Sequence, residues 1–366
     1  MVQREGAVED MVNPWQARRV FLTGHTGFKG GWLALWLARL GAEIRGYALD
    51  PETEPNLFSA ASVRRSLDDV RGDVRDSARL ASALSEFRPE VVFHLAAQPL
   101  VRRSYADPLG TYSTNIMGTV HVLEAVRKTP SVRAVVAVTT DKCYRNQEWV
   151  WPYRETDELG GHDPYASSKA CAEIVSAAYR SSFFAAGSSQ QQRVALATAR
   201  AGNVIGGGDW SEDRLIPDLV RGFQASQPVL IRRPQAIRPW QHVLEPVYGY
   251  ITLAEKLLAG STEFADAFNF GPSEEDAWPV ERIVSAVAKI WGEGATWAID
   301  KAPGVHENHF LKLDTSKARA ELGWKPRLRI ETALEWTIAW YRSAQQGQDM
   351  RQETMSQIAA YEGLLL

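Results

Sequence analysis

Residues 23–30 read TGHTGFKG, and the fold turns on how that stretch is read. Before it comes RVFLTG (19–24), a short apolar run of strand character. After it comes GGWLALWLARLG (30–41), with helical apolar spacing and Gly41 as its stop. A strand that turns through glycines into a helix brings backbone N–H groups and the positive end of a helix to one spot. Gly24, Gly27 and Gly30 keep the spacing G-x-x-G-x-x-G. Positions without side chains there let the backbone approach a pyrophosphate. A glycine triplet alone also describes ordinary turns, but between a strand and a helix near the start of the chain it points to a dinucleotide. The whole turn, Gly24, His25, Thr26, Gly27, Phe28, Lys29 and Gly30, is the candidate cofactor loop.

Working outward, EIRGYALD (43–50), VVFHLAA (91–97), AVVAVTT (134–140) and ALATARAGNV (195–204) are further strand candidates separated by helical stretches. That alternation predicts an α/β fold, a Rossmann-type doubly wound parallel sheet. Beyond about residue 205 it breaks: Gly206, Gly207 and Gly208 form a loop, and the basic, proline-punctuated LIRRPQAIRPW (230–240) follows. The expected organisation is a flexible lead over 1–17, a dinucleotide-binding domain over 18–204, and a smaller lobe over 205–366 that binds the second ligand. Residues 241–260 are expected to return to the first domain. AAGSSQQQ (185–192) reads as an exposed loop.

Of the 366 residues, 45% are hydrophobic and 23% charged, the balance of a soluble globular chain. A net charge of −3 argues against nucleic acid as a partner. No apolar run reaches the roughly 20 residues of a membrane span. The first residues, MVQREGAVEDMVNPWQARR, lack the apolar core of a signal peptide, and Met11 is an alternative start. Two cysteines, Cys143 and Cys171, support neither a disulfide framework nor a zinc site, and no metal is expected; a reducing cytoplasm is. The 13 tryptophans read mostly as core.

Asp50 lies 20 residues after Gly30, at the end of the second strand, where a carboxylate binds ribose hydroxyls and repels a 2′-phosphate; the cofactor expected is therefore NAD. In GDVRD (72–76), Asp73 and Val74 are placed either against adenine or at a helix N-cap. Leu95, Ala96 and Ala97 close the fourth strand with two small residues, leaving the cofactor room.

The chemistry concentrates in two stretches. DPYASSKA (163–170) opens a helix, with Asp163 as cap and Pro164 at its first position, so Tyr165 and Lys169 share one face. A phenol is a poor base near neutrality; the Lys169 ammonium and a positive nicotinamide are expected to lower its pKa. VTTDKCY (138–144) ends an apolar strand with Thr139, Thr140, Asp141 and Lys142, an acid beside an amine.

With these motifs the chain resembles the extended short-chain dehydrogenase/reductase superfamily, from Arg19 to about Leu334. Further stretches match in order: NIMGTVHVLEA (115–125), RAGNVIGGGDW (200–210), RLIP (214–217), RPWQHV (238–243), FNFGP (268–272) and KLDTSKARAELGW (312–324). The resemblance implies that Thr139, Tyr165 and Lys169 also contact NAD. Thr140 would bind the sugar 4-hydroxyl while Tyr165 takes its proton, and Asn115 would hold the helix from behind. Epimerases of the superfamily resemble S-S-A-A-V-Y at the strand end, and 4,6-dehydratases T-D-E-V-Y. T-D-K-C-Y puts Asp141 where the dehydratases keep the acid that protonates the leaving 6-hydroxyl. Lys142 stands in for their glutamate, as neutral base at carbon 5 or as charged stabiliser of the enolate. That departure, with TGHTGFKG, AAQPLVRRSY (96–105) and GNVIGGGDW, resembles the branch that dehydrates CDP-glucose to CDP-4-keto-6-deoxyglucose.

Such a lyase oxidises carbon 4, loses water across carbons 5 and 6 and returns the hydride to carbon 6, in deoxysugar biosynthesis such as that of lipopolysaccharide O-antigen. For the substrate the expected contacts are Gln98 and Tyr105 by the sugar and Asn203, Arg214 and Arg238 by the phosphates. His306, Glu307 or His309 is expected to replace an arginine that relatives have near Ala302. Arg232 and Arg233 support the same site or are solvated. The resemblance also implies a homodimer or homotetramer. The alternatives are a nucleotide-sugar 4-epimerase, a dehydratase of another nucleotide sugar, and an NAD-sensing regulator; regulators of that kind lose the tyrosine or the lysine, and both are present.

Overall fold

A computed structural model of the chain describes residues 13–185, 193–260, 262–300 and 310–366. The apolar runs become strands because each is covered on both faces by helices, which favours unbroken apolar sequence over alternation. VVFH of β4 (Val91–His94) and AVVAV of β5 (Ala134–Val138) are buried throughout. With β1 (Arg19–Thr23), β2 (Glu43–Ala48), β3 (Asp68–Arg71), β6 (Ala195–Ala201) and β7 (Ala267–Phe270) they form one parallel sheet, ordered β7-β6-β5-β4-β1-β2-β3. The expected doubly wound fold is present. Strand order reverses between β1 and β4, and a crevice opens at their carboxyl ends, where such sheets bind ligands. β3 and β7 went unread: DDVR is a half-exposed edge with little apolar content, and AFNF lies beyond the point where the alternation breaks.

Helix α1 (Phe28–Arg39) starts on Gly27 and buries Trp32, Leu33, Trp36 and Leu37, each worth about 1.5–3 kcal/mol against exposure. It stops where expected, with Gly41 at φ +91° and the Gly41 N–H on Ala38 O. α2 (Ser77–Phe87) is capped by Asp76, so Asp73 is not an N-cap. α3 (Gly118–Arg127) covers the same face of the sheet as α2. α4 (Pro164–Tyr179) opens as its sequence dictates, with the Asp163 side chain accepting from Ala166 N at 2.8 Å. α5 (Leu244–Leu258) packs across β5, β6 and β7. Two further helices, α6 (Ile330–Gln345) and α7 (Met350–Gly363), close the back of α1, where the Trp36 indole donates to Glu362 at 2.9 Å.

Beyond the sheet, Val229–Ile231 pairs with Trp297–Ile299, and Val204–Ile205 with Gln241–His242. The flexible lead drawn over 1–17 needs correction from Asn13 on. Trp15 is 1% exposed, packs on Phe93 and donates to Glu255, because its indole completes the core beneath α5. Eight tryptophans are buried. Among the described residues, no helix is long and apolar enough to cross a membrane.

Candidate active site

The crevice is a cleft of about 1280 Å³ that runs from the end of β2 to the lobe beyond β6. Its floor is the glycine loop. A Cβ on Gly24 (φ +80°) would lie 2.7 Å from Ala96 N, and one on Gly30 would lie 2.1 Å from Gly24 O. These two glycines let the loop fold onto itself and bring the start of α1 to the cleft. Of the loop, Gly24, Thr26, Gly27, Phe28, Lys29 and Gly30 line the cleft. His25 does not, and its assignment to the cofactor is corrected: its ring is fully buried behind the loop, 2.8 Å from Asp69 and edge-on to Phe58. Its role is to tie the loop to β3.

Asp50, Asp73, Val74, Leu95, Ala96, Ala97 and Tyr105 also face the cleft. Asp50 is 88% exposed with Arg71 at 3.5 Å. The Asp73 carboxylate is occupied by the Arg75 amide and guanidinium, which hold its pKa down. Gln98 is corrected as a substrate contact. Its amide nitrogen donates to Thr111 at 2.9 Å and Leu100 O at 3.1 Å, and its oxygen accepts from Leu100 N, so the side chain braces its own loop. Asn115 bridges that loop to the opening turns of α4, accepting from Gln98 N at 2.8 Å and donating to Ser168 at 2.9 Å.

The end of β5 and the start of α4 meet above the floor. Thr139, Thr140, Asp141, Lys142, Tyr165 and Lys169 all line the same cleft. Thr140 caps the short turn Asp141–Cys143 and donates to Asp141 Oδ1 at 3.0 Å, and its hydroxyl draws the pKa of Tyr165 down. Asp141 is 2% exposed, and burial raises its pKa against the opposing pull of Lys142, Thr140, Arg238 and Lys29. Its Oδ2 has no partner among the described residues. Gly202 keeps that oxygen clear, since a Cβ there would lie 3.0 Å from it and 2.3 Å from Pro239.

The expected lowering of the Tyr165 pKa is absent from the chain itself. Burial pushes it up to about 12, and the Thr140 hydroxyl and the Arg214 charge only partly offset this. Lys169 instead donates to Val138 O at 3.1 Å; burial lowers its pKa to about 8 while Glu173 holds it up.

Toward the lobe, Asn203, Arg214 and Arg238 line the cleft. Arg214 pairs with buried Asp209 at 2.9 Å. His306, Glu307 and His309 lie outside the described residues. Lys29 was read only as part of the glycine loop. Its amine is buried among these charges, and burial first, then Arg214 and Lys169, lower its pKa to about 7. Lys29, Lys142, Lys169, Arg214 and Arg238 thus group around Asp141 and Asp209, a local basic cluster that suits phosphate-bearing ligands, within a cleft lining that carries nine basic and nine acidic side chains in all. The backbone cradle, this charge and the carboxylate at the end of β2 fit a dinucleotide. Among the described residues no group of three or more His, Cys, Asp or Glu side chains could hold a metal ion.

The sequence model of the GDP-mannose 4,6 dehydratase family matches residues 21–337. The chain belongs to this family. Among GDP-mannose 4,6 dehydratase family relatives, the CDP-glucose 4,6-dehydratase of Salmonella typhimurium is 52% identical over 338 residues, 92% of this chain and 94% of that one. Of solved structures, MoeE5 in complex with UDP-glucose and NAD is 25% identical with a TM-score of 0.74, covering 89% of this chain and 99% of that one. The dTDP-glucose 4,6-dehydratase of Bacillus anthracis in complex with NAD is 21% identical with a TM-score of 0.74 and covers 92% and 100%. At that identity the likeness speaks for the fold. The superfamily expected from the glycine loop, Thr140, Tyr165 and Lys169 is the one found.

Proposed function

We propose that the chain is an NAD-dependent CDP-glucose 4,6-dehydratase. The observation that carries the reading is Asp141, a buried carboxyl with a raised pKa and an unpartnered oxygen, one residue from Thr140 and in the same cleft as Tyr165. An epimerase needs the threonine and the tyrosine but no acid beside them. The 52% identity to a CDP-glucose 4,6-dehydratase supports cytidine as the base.

Bound NAD would supply reversible two-electron redox chemistry, oxidising carbon 4 first and reducing carbon 6 last. Gly24, Thr26 to Gly30, Asp50, Leu95 to Ala97 and Thr139 would hold it. Tyr165 accepts the proton of the 4-hydroxyl, with Thr140 aligning that hydroxyl; the positive nicotinamide is the remaining cause that would bring its pKa down from about 12. The ketone acidifies the carbon 5 hydrogen, Lys142 acts there as base or as enolate stabiliser, and Asp141 donates its proton to the leaving 6-hydroxyl. Arg214, Arg238 and Asn203 receive the nucleotide phosphates, and Lys29 carries further positive charge toward them. A homodimer is supported by exposed Leu109, Tyr112 and Met117 on the segment before α3, Ile174 on α4 and Phe183 just after it.

Turnover of CDP-glucose in deuterated water tests the reading. The product expected is a 4-keto-6-deoxy sugar with one solvent deuterium at carbon 5; an epimer without deuterium rejects it.

A further inference from the structure

Behind the cleft lies a buried charge network that no step of this chemistry uses. Glu173 sits on α4 one turn after Lys169 and two turns after Tyr165, so the three side chains share a face. Its carboxylate accepts from Thr139 on one oxygen, and from Thr198 at 2.7 Å and Arg200 at 2.8 Å on the other. Arg200 continues the chain. It donates to the Tyr144 hydroxyl at 2.8 Å and lies 4.9 Å over the Tyr144 ring, and that hydroxyl donates to Asn269 at 2.7 Å. Asn269 in turn donates to Tyr153 O and Asp314 O.

Thr139 and Tyr144 bracket the stretch 140–143, which carries Thr140, Asp141 and Lys142. One end is tied to Glu173 and the other to Arg200, and Glu173 rides on the helix of Tyr165. The pair is almost wholly enclosed, with side-chain exposures of 4% and 3%. A buried pair of this kind is weak evidence for stability, since desolvation cancels most of its attraction, but it fixes geometry strongly.

We propose that the Glu173–Arg200 pair is the positioning unit that holds the Asp141–Lys142 turn in register with the Tyr165–Lys169 helix. It thereby couples elimination at carbons 5 and 6 to oxidation at carbon 4. The proposal rests on the dehydratase reading. Thr140 stands at the start of the stretch, next to the Thr139 that Glu173 ties to α4, whereas Asp141 and Lys142 lie further along it, toward the Tyr144 anchor. Loosening the network therefore affects the second half-reaction more than the first.

The test uses Tyr144→Phe, which deletes one hydroxyl and keeps the ring beneath Arg200, and Glu173→Gln, which removes the charge. The full-length protein is compared with its variants in single turnover, reading oxidation at carbon 4 and solvent exchange at carbon 5 separately. In Tyr144→Phe, carbon 4 oxidation should stay within about 3-fold while carbon 5 exchange falls by about 10–10²-fold, the scale of a small misplacement. KM should not change. Glu173→Gln should lower carbon 5 exchange further and, because Glu173 also holds up the Lys169 pKa, lower carbon 4 oxidation as well, but by less. Equal losses in both half-reactions, or no loss in either, overturn the proposal. If the wild-type protein itself shows no exchange at carbon 5, the dehydratase reading falls and this proposal with it; wild-type exchange with equal variant losses overturns the proposal alone.

Discussion

Behind the floor of the cleft, which neither residue lines, Glu173 and Arg200 meet at 2.8 Å with 3% and 4% of their side chains exposed; at the rim Arg102 and Asp213 meet at 3.2 Å with 44% and 38% exposed. Asp213 also holds Arg232 at 3.2 Å, and nearby Arg103 pairs with Glu52 at 3.0 Å. The rim pairs join the segment after β4 to the lobe and to the end of β2, across the route a ligand takes. Solvent and salt screen them, and their side chains lose entropy in pairing, so they add little stability. The enclosed pair is hardly screened and cannot be broken without leaving a buried charge. One pair is enclosed in the core, and the others stand in solvent at the mouth of the cleft.

The largest expected effect lies between these regions, in the catalytic pair itself. Tyr165→Phe should lower turnover by about 10²–10⁴-fold, the range for a lost general base, and leave nucleotide-sugar affinity within a few-fold by calorimetry. A variant that turns over normally removes Tyr165 from the chemistry. Next, Arg200→Ala should cost about 3–5 kcal/mol in urea unfolding, as expected for one partner of a buried pair. Arg102→Ala should cost less than about 1 kcal/mol. Similar costs at both sites would erase the contrast between core and rim.

Acid should act on the buried part of the molecule. His94 lies under the cleft between Thr23 and Thr119, His242 lies between Trp32 and Trp336, and burial lowers both pKa values to about 3. Unfolded histidine titrates near ~6.5, so between these values the unfolded chain binds more protons. Stability from both groups is therefore complete above pH ~6.5 and falls as pH drops toward 3, by up to about 1.4 kcal/mol per unit for each. His242→Gln should flatten this acid limb by about half; an unchanged slope contradicts the account. The smallest effect belongs to salt. Raising ionic strength from about 0.05 to 0.5 M should weaken substrate capture more in the wild type than in Arg102→Ala, because only exposed charge is screened.

Much of the sheet was legible because its strands are buried on both faces and carry continuous apolar runs. β3 and β7 were not, one being a polar edge and the other sitting after the lobe interrupts the pattern. The cleft was legible wherever side-chain type and spacing carry the chemistry: Gly24 and Gly30 for close backbone approach, Tyr165 and Lys169 for one helix face, Asp141 at a strand end. It was illegible where a side chain's direction decides. His25 and Gln98 stand beside residues that face the cleft, yet both turn inward to satisfy buried partners. Glu173 and Arg200 are 27 residues apart and lie in stretches that read as ordinary helix and strand. Only the fold brings them together at 2.8 Å.

The central claim is the fate of carbon 6 on a cytidine sugar. Purified protein incubated with NAD and, separately, CDP-glucose, UDP-glucose, dTDP-glucose and GDP-mannose is assayed for the alkaline enone absorbance of a 4-keto-6-deoxy product. The account predicts that absorbance with CDP-glucose, at a kcat/KM at least about 10-fold above the other three, a difference of about 1.4 kcal/mol. A 4-epimer as the sole product, or no product from any of the four, would contradict it.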